Sequence, residues 1–170
     1  MSEKALKLKK GGLDTIIAYI VVMLPLLYVL VYIIATIYHF SVQMYMNQVV
    51  KEATVMISTY GEVTSRHADY IRGKLSNVLA EDEYGRNCDI EYYVRKFDES
   101  TGVVKTLHGP YDETNLPTVN KADIIGIYVQ STKPSVLGSV SAFSIFGNGS
   151  DESDLYYTSY REEIIRNEHP

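Results

Sequence analysis

TIIAYIVVMLPLLYVLVYIIATIYHF, residues 15–40, decides the architecture. It contains no Asp, Glu, Lys or Arg, and none follows it until Lys51. A helix needs roughly 20 apolar residues to cross about 30 Å of hydrocarbon, so this run is long enough to span a bilayer. Lys4, Lys7, Lys9 and Lys10 stand on its N-terminal side. Positive charge on that flank predicts a cytoplasmic N-terminus and an extracytoplasmic C-terminal part. A secretory signal has an apolar core of only about 7–15 residues followed by a small-residue cleavage site. This run is longer and ends in Ile37-Tyr38-His39-Phe40, so it reads as a retained single-pass anchor in the cell membrane.

The pattern continues past the membrane. Val42, Met46, Val49, Val50, Ala53, Met56, Ile57 and Tyr60 recur mostly at three- and four-residue spacing, which is one face of a helix of 3.6 residues per turn. Neither Pro nor Gly interrupts the chain from Leu26 to Tyr60, and Gly61 is the first natural stop. A helix from Leu13 to Tyr60 would be about 70 Å long, more than a bilayer requires. The expected division is a basic cytoplasmic leader (1–12), a transmembrane helix (13–40), an extracellular extension of that helix (41–60) and an extracellular head (61–170).

The head starts as a second helical pattern, Glu62 to about Leu79, and then changes period. Asp89–Phe97 is β-branched and aromatic, 98–102 has turn chemistry, and Val103–Leu107 follows as a partner strand. Gly109-Pro110 and Asp112–Asn115 read as loop. Asp123–Gln130, Val136–Phe146 and Leu155–Tyr160 are the remaining strand candidates. The fold class is α+β: a long N-terminal transmembrane helix extending outside, with a small head made of a helix and an antiparallel sheet.

From Lys51 onward there are 12 basic and 19 acidic residues. That acidity argues against nucleic acid as a partner, because phosphate binding needs a basic patch. Cys88 is the single cysteine, so the exported part has no internal disulfide and stands on its packed core. It reads either as an inert half-buried thiol or as a dimer disulfide. His39, His67, His108 and His169 lack ligand spacing. The acidic stretch 148–154 lacks the alternating ligands of a calcium loop. No nucleophile elbow, metal motif or phosphate loop occurs. The reading is of a non-enzyme with no metal and no cofactor.

Lys9-Lys10-Gly11-Gly12-Leu13-Asp14-Thr15, the apolar run through Met23-Leu24-Pro25-Leu26-Leu27, and the Gln48–Ile57 segment together resemble the TadE-like pseudopilins of the type IV pilin-like family, including TadE-like proteins of Gram-positive bacteria. The resemblance covers about residues 9–65. It implies a minor subunit of a tight-adherence or type IV pilus-like assembly or secretion system, whose partners are the membrane, other pilin-like subunits, an inner-membrane platform protein and a prepilin peptidase. Cleavage would fall after Gly11 or Gly12 and leave Leu13 near the new N-terminus. Such proteins carry Glu five residues after the cut, but here that position is Ile16 or Ile17. Asp14 is the nearest acid, either as the assembly group or as the N-cap of the span. Pro25 matches the family's proline and reads equally as a local kink. Tyr28 and Tyr32 lie one turn apart in mid-span, where their hydroxyls need partners: a neighbouring helix, or the helix's own carbonyls. Tyr38 and Tyr45 suit the outer interface belt. The competing reading is a permanently anchored accessory or sensor protein whose extracellular head binds a ligand.

Overall fold

The computed structural model describes residues 2–137 and 155–167, with the side chains of Gly12 and of Asp14 onward. The elements are α1 (Ser2–Tyr60), α2 (Ser65–Leu75), β1 (Cys88–Asp98), β2 (Val103–Tyr111), β3 (Ile124–Ser131) and β4 (Thr158–Ile164). The four strands form one antiparallel sheet in the order β2-β1-β3-β4. An α+β fold with a long apolar N-terminal helix is what the hydrophobic patterning predicts.

The chain divides into two compact units, residues 1–38 and 39–170. In the first, the side chains of Ile16, Ile20, Leu24, Leu27, Ile34 and Ile37 are each more than half exposed. This part of α1 lies in a helix long and apolar enough to cross a membrane.

The second unit starts inside α1, well before residue 61. Val42, Met46, Val49, Val50, Ala53 and Ile57 are almost fully buried and belong to the same core as α2 and the sheet. Their spacing places them on one side of the helix. From α2 come Ala68, Ile71 and Leu75, from β1 Cys88, Ile90, Tyr92 and Val94, and from β3 Ile125, Ile127 and Val129. The alternation over Cys88–Val94 in β1 and Ile127–Ser131 in β3 is that of a sheet covered on one face.

This length of α1 runs alongside β4. Near its start Gln43 Nε2 donates to the Thr158 carbonyl, and the His39 ring stacks on Tyr157 at 4.9 Å. Near its end Ser58 Oγ donates to the Ile164 carbonyl. The last carbonyls of a helix lack partners within it. Here Ile57 O accepts from Gly61 N–H at 2.8 Å, and Ser58 O accepts from Arg166 and Asn167 N–H at 2.9 and 3.1 Å. Gly61 sits at φ +74°, and a Cβ there would meet the Asn167 side chain at 2.8 Å. The helix therefore stops where the sequence offers a glycine, and tertiary contacts finish the cap.

Several boundaries differ from the sequence reading. α2 ends at Leu75, because Ser76 turns its hydroxyl back onto the Gly73 carbonyl (2.9 Å) and the chain leaves the helix through a turn. Gly109-Pro110 lies in β2, not in a loop. β2 is an edge strand, where a residue without an N–H is tolerated. β4 lies further along than Leu155–Tyr160 and takes in Arg161, Glu162 and Glu163, charges that suit a sheet edge. Val136 and Leu137 are helical, and the rest of the Val136–Phe146 strand prediction falls outside the described residues, as does the stretch 148–154. Cys88 is fully buried, not half-buried. Tyr45 packs against the head core and points its hydroxyl at the Lys74 carbonyl (3.4 Å), so it does not belong to an interface belt.

Candidate functional site

Two surfaces stand out among the described residues: the apolar part of α1 and the open face of the sheet.

On α1, Gly11, Gly12, Leu13 and Asp14 all lie within the helix, which starts at Ser2. Asp14 is therefore not an N-cap; the Lys-, Ala- and Leu-containing segment before it is made of good helix formers. Asp14 is exposed. Gly12 is exposed, and a Cβ built on it would meet nothing within 4 Å. Nothing among the described residues requires a glycine there for space. Pro25 sits inside the helix, where its missing N–H leaves the Val21 carbonyl without its usual partner. Tyr28 and Tyr32 are 38% and 44% exposed on one helix face. The Tyr32 carbonyl accepts from Thr36 Oγ1 at 2.8 Å. Neither tyrosine hydroxyl makes a hydrogen bond within the described residues.

The second surface escaped the sequence reading. The sheet face away from the core carries Glu91, Tyr93 and Arg95 from β1, Gly126, Tyr128 and Gln130 from β3, Tyr160 and Glu162 from β4, and Leu107 from β2. Register aligns Tyr128 with both Glu91 and Tyr160, and Gly126 with both Tyr93 and Glu162. With no side chain at Gly126, Tyr160 lies across the strand: a Cβ there would meet its Oη at 2.8 Å. The Tyr93 and Tyr160 rings meet edge to face, with centroids 6.2 Å apart and planes at 79°. With Tyr128 and Leu107 they line a shallow cleft of about 210 Å³.

Each hydroxyl is held by an acceptor two residues away on its own strand. Tyr93 donates to Glu91 at 2.6 Å, Tyr128 to Gln130 at 2.9 Å, and Tyr160 to Glu162. The bond to Glu91, followed by desolvation, pushes the Tyr93 pKa up to about 12. Desolvation, followed by the bond to Glu162, does the same for Tyr160. Both rings are therefore neutral donors at ordinary pH. Arg95 pairs with Glu162 at 3.0 Å. Glu91 has no cationic partner among the described residues. The signal available in the sequence was the repeated tyrosine–acid spacing of Glu91-Tyr92-Tyr93 and Tyr160-Arg161-Glu162, which becomes a cluster only through strand register.

Among the described residues no group of three or more His, Cys, Asp or Glu side chains is arranged to hold a metal ion. Comparison with protein-family models, curated proteins and solved structures finds no match for this chain.

Proposed function

We propose that this chain is a minor pilin or pseudopilin subunit of a tight-adherence or type IV pilus-like assembly, anchored by one span with its head outside the cell. The observation that carries this reading is that one helix serves both units. Its residues 16–34 expose large apolar side chains, and Val42 to Ile57 form part of the head core. A tether that only holds a domain at a membrane has no need to be built into that domain. A subunit that transmits packing between span and head does. The glycine pair before the span adds to this, because Gly12 has no steric reason to be glycine, and glycines ease the unwinding that a peptidase requires.

The test is the intact mass of the protein recovered from cells expressing its own locus. Loss of residues 1–11 or 1–12 is the expected result. A full-length N-terminus would transfer the weight to the second reading, a permanently anchored accessory or sensor protein. That reading has one observation in its favour: Ile16 or Ile17, and not an acid, stands five residues after either cut.

A further inference from the structure

We propose that the tyrosine cleft on the open sheet face binds the guanidinium group of an arginine presented by a partner protein. This does not rest on the pilin reading.

The cleft joins three features. Its walls are aromatic rings of Tyr93, Tyr128 and Tyr160, two of them at nearly a right angle, so a cation placed inside faces the negative side of one ring and lies beside another. The groups at its rim, Glu91, Glu162 and Arg95, carry a net negative charge. Of the carboxylates that hold the tyrosine hydroxyls, Glu162 is balanced by Arg95 and Glu91 is not. Its hydrogen-bonding capacity is directional and sparse. The three hydroxyl protons are already donated within the sheet, and the donor group beside the cleft, the Arg95 guanidinium, is engaged with Glu162 and the Tyr160 hydroxyl. An anion would have to compete with Glu162 for Arg95 and would be repelled by the unpaired Glu91 carboxylate. A lysine ammonium is strongly hydrated and needs three acceptors. A guanidinium is weakly hydrated, stacks on aromatic faces and presents planar donors to a carboxylate. Tyrosine and arginine are also the residue types that dominate interface hot spots.

The experiment uses the full chain in phospholipid nanodiscs with isotopically labelled tyrosine rings. It is titrated with blocked tripeptides Gly-Arg-Gly, Gly-citrulline-Gly and Gly-Lys-Gly. We expect saturable shifts confined to Tyr93, Tyr128 and Tyr160 with the arginine peptide. Removing the cation should weaken binding about fivefold, at the upper end of the cation–π range for an exposed site. Glu91→Gln keeps the acceptor for Tyr93 and removes the charge; Tyr160→Ser removes a wall at a position 48% exposed. Each should weaken the arginine peptide about two- to fivefold, with the other ring signals retained as evidence of folding. No saturable shift with arginine overturns the proposal. Equal binding of citrulline reduces the cleft to an apolar dent, and equal binding of lysine reduces the recognition to net charge; either result also overturns it.

Discussion

Asp123 is a carboxylate with only 2% of its surface exposed, and its partners explain why it stays charged. Burial pushes its pKa up, but the amides of Phe97 (2.9 Å) and Asn120 (2.8 Å) and the Lys96 ammonium (3.1 Å) together hold it below the usual value. A depressed carboxylate contributes stability above its unfolded pKa of about 3.9 and loses it as pH falls through the folded value. Asp123→Ala should cost about 2–4 kcal/mol in denaturant titration, since it removes charge-assisted bonds to two amides and a lysine; Asp123→Asn should cost less. His67 acts in the same direction. Desolvation lowers its pKa more than the Thr64 carbonyl and Glu62 raise it, and the neutral ring accepts the Thr64 amide proton at Nδ1 (3.1 Å). Unfolding lets this ring take up a proton, so stability should start to fall below about pH 6.5. His67→Gln, measured by chemical denaturation across pH 5–8, should flatten that slope. The Cys88 thiol is driven up to about 12, above all by burial. Only thiolate is alkylated, so iodoacetamide should leave Cys88 unmodified in the native chain and label it on unfolding. Labelling of the folded protein at neutral pH would contradict this burial.

At the scale of elements, α1 carries two kinds of surface in one helix, and the change falls near residue 40. Before it the large apolar side chains are exposed; after it one face, Val42, Met46, Val49, Val50, Ala53 and Ile57, enters the core while Met44 and Val55 stay outside it. Substituting Ala for both Tyr28 and Tyr32 should leave membrane insertion intact, because insertion follows the summed apolarity of the run. Assembly with other helices should fall, since both hydroxyls lack partners within the described residues and need them in lipid. Unchanged co-purification with pilin-like subunits would remove these tyrosines from the packing face. At the other end of α1, Gly61→Ala forces a side chain into a positive-φ site against Asn167. It should cost about 1–2 kcal/mol by thermal or chemical denaturation, where alanine at an open helix site is neutral.

At the scale of the whole molecule, the boundary of the folded head is the testable quantity. A fragment starting at residue 61 lacks Val42, Met46, Val49, Val50 and Ile57, each almost fully buried. At about 1.5–3 kcal/mol apiece, their loss is comparable to the entire stability of a typical domain, about 5–15 kcal/mol. A fragment starting at residue 39 should therefore show cooperative unfolding, and one starting at residue 61 should not. The long helix, its apolar first part, its amphipathic continuation and the hairpin of β1 and β2 were all legible in the sequence, because hydrophobic spacing along a chain is a local property. Asp14 misled, because a cap is defined by where a helix starts, and the residues before it are themselves helical. The placement of β4 beside β3, the passage of a Pro through an edge strand and the end of α2 depended on neighbours distant in sequence. The same is true of the open sheet face. Tyr93, Tyr128 and Tyr160 lie on three strands, and only the register across Gly126 brings their rings and carboxylates together. The sequence by itself determined the long helix, the start of α2, the β1–β2 hairpin and β3, together with their apolar faces, since those follow from residue type and period. The tertiary structure alone decided which of them meet, because strand order and register are fixed by long-range burial that no local window contains.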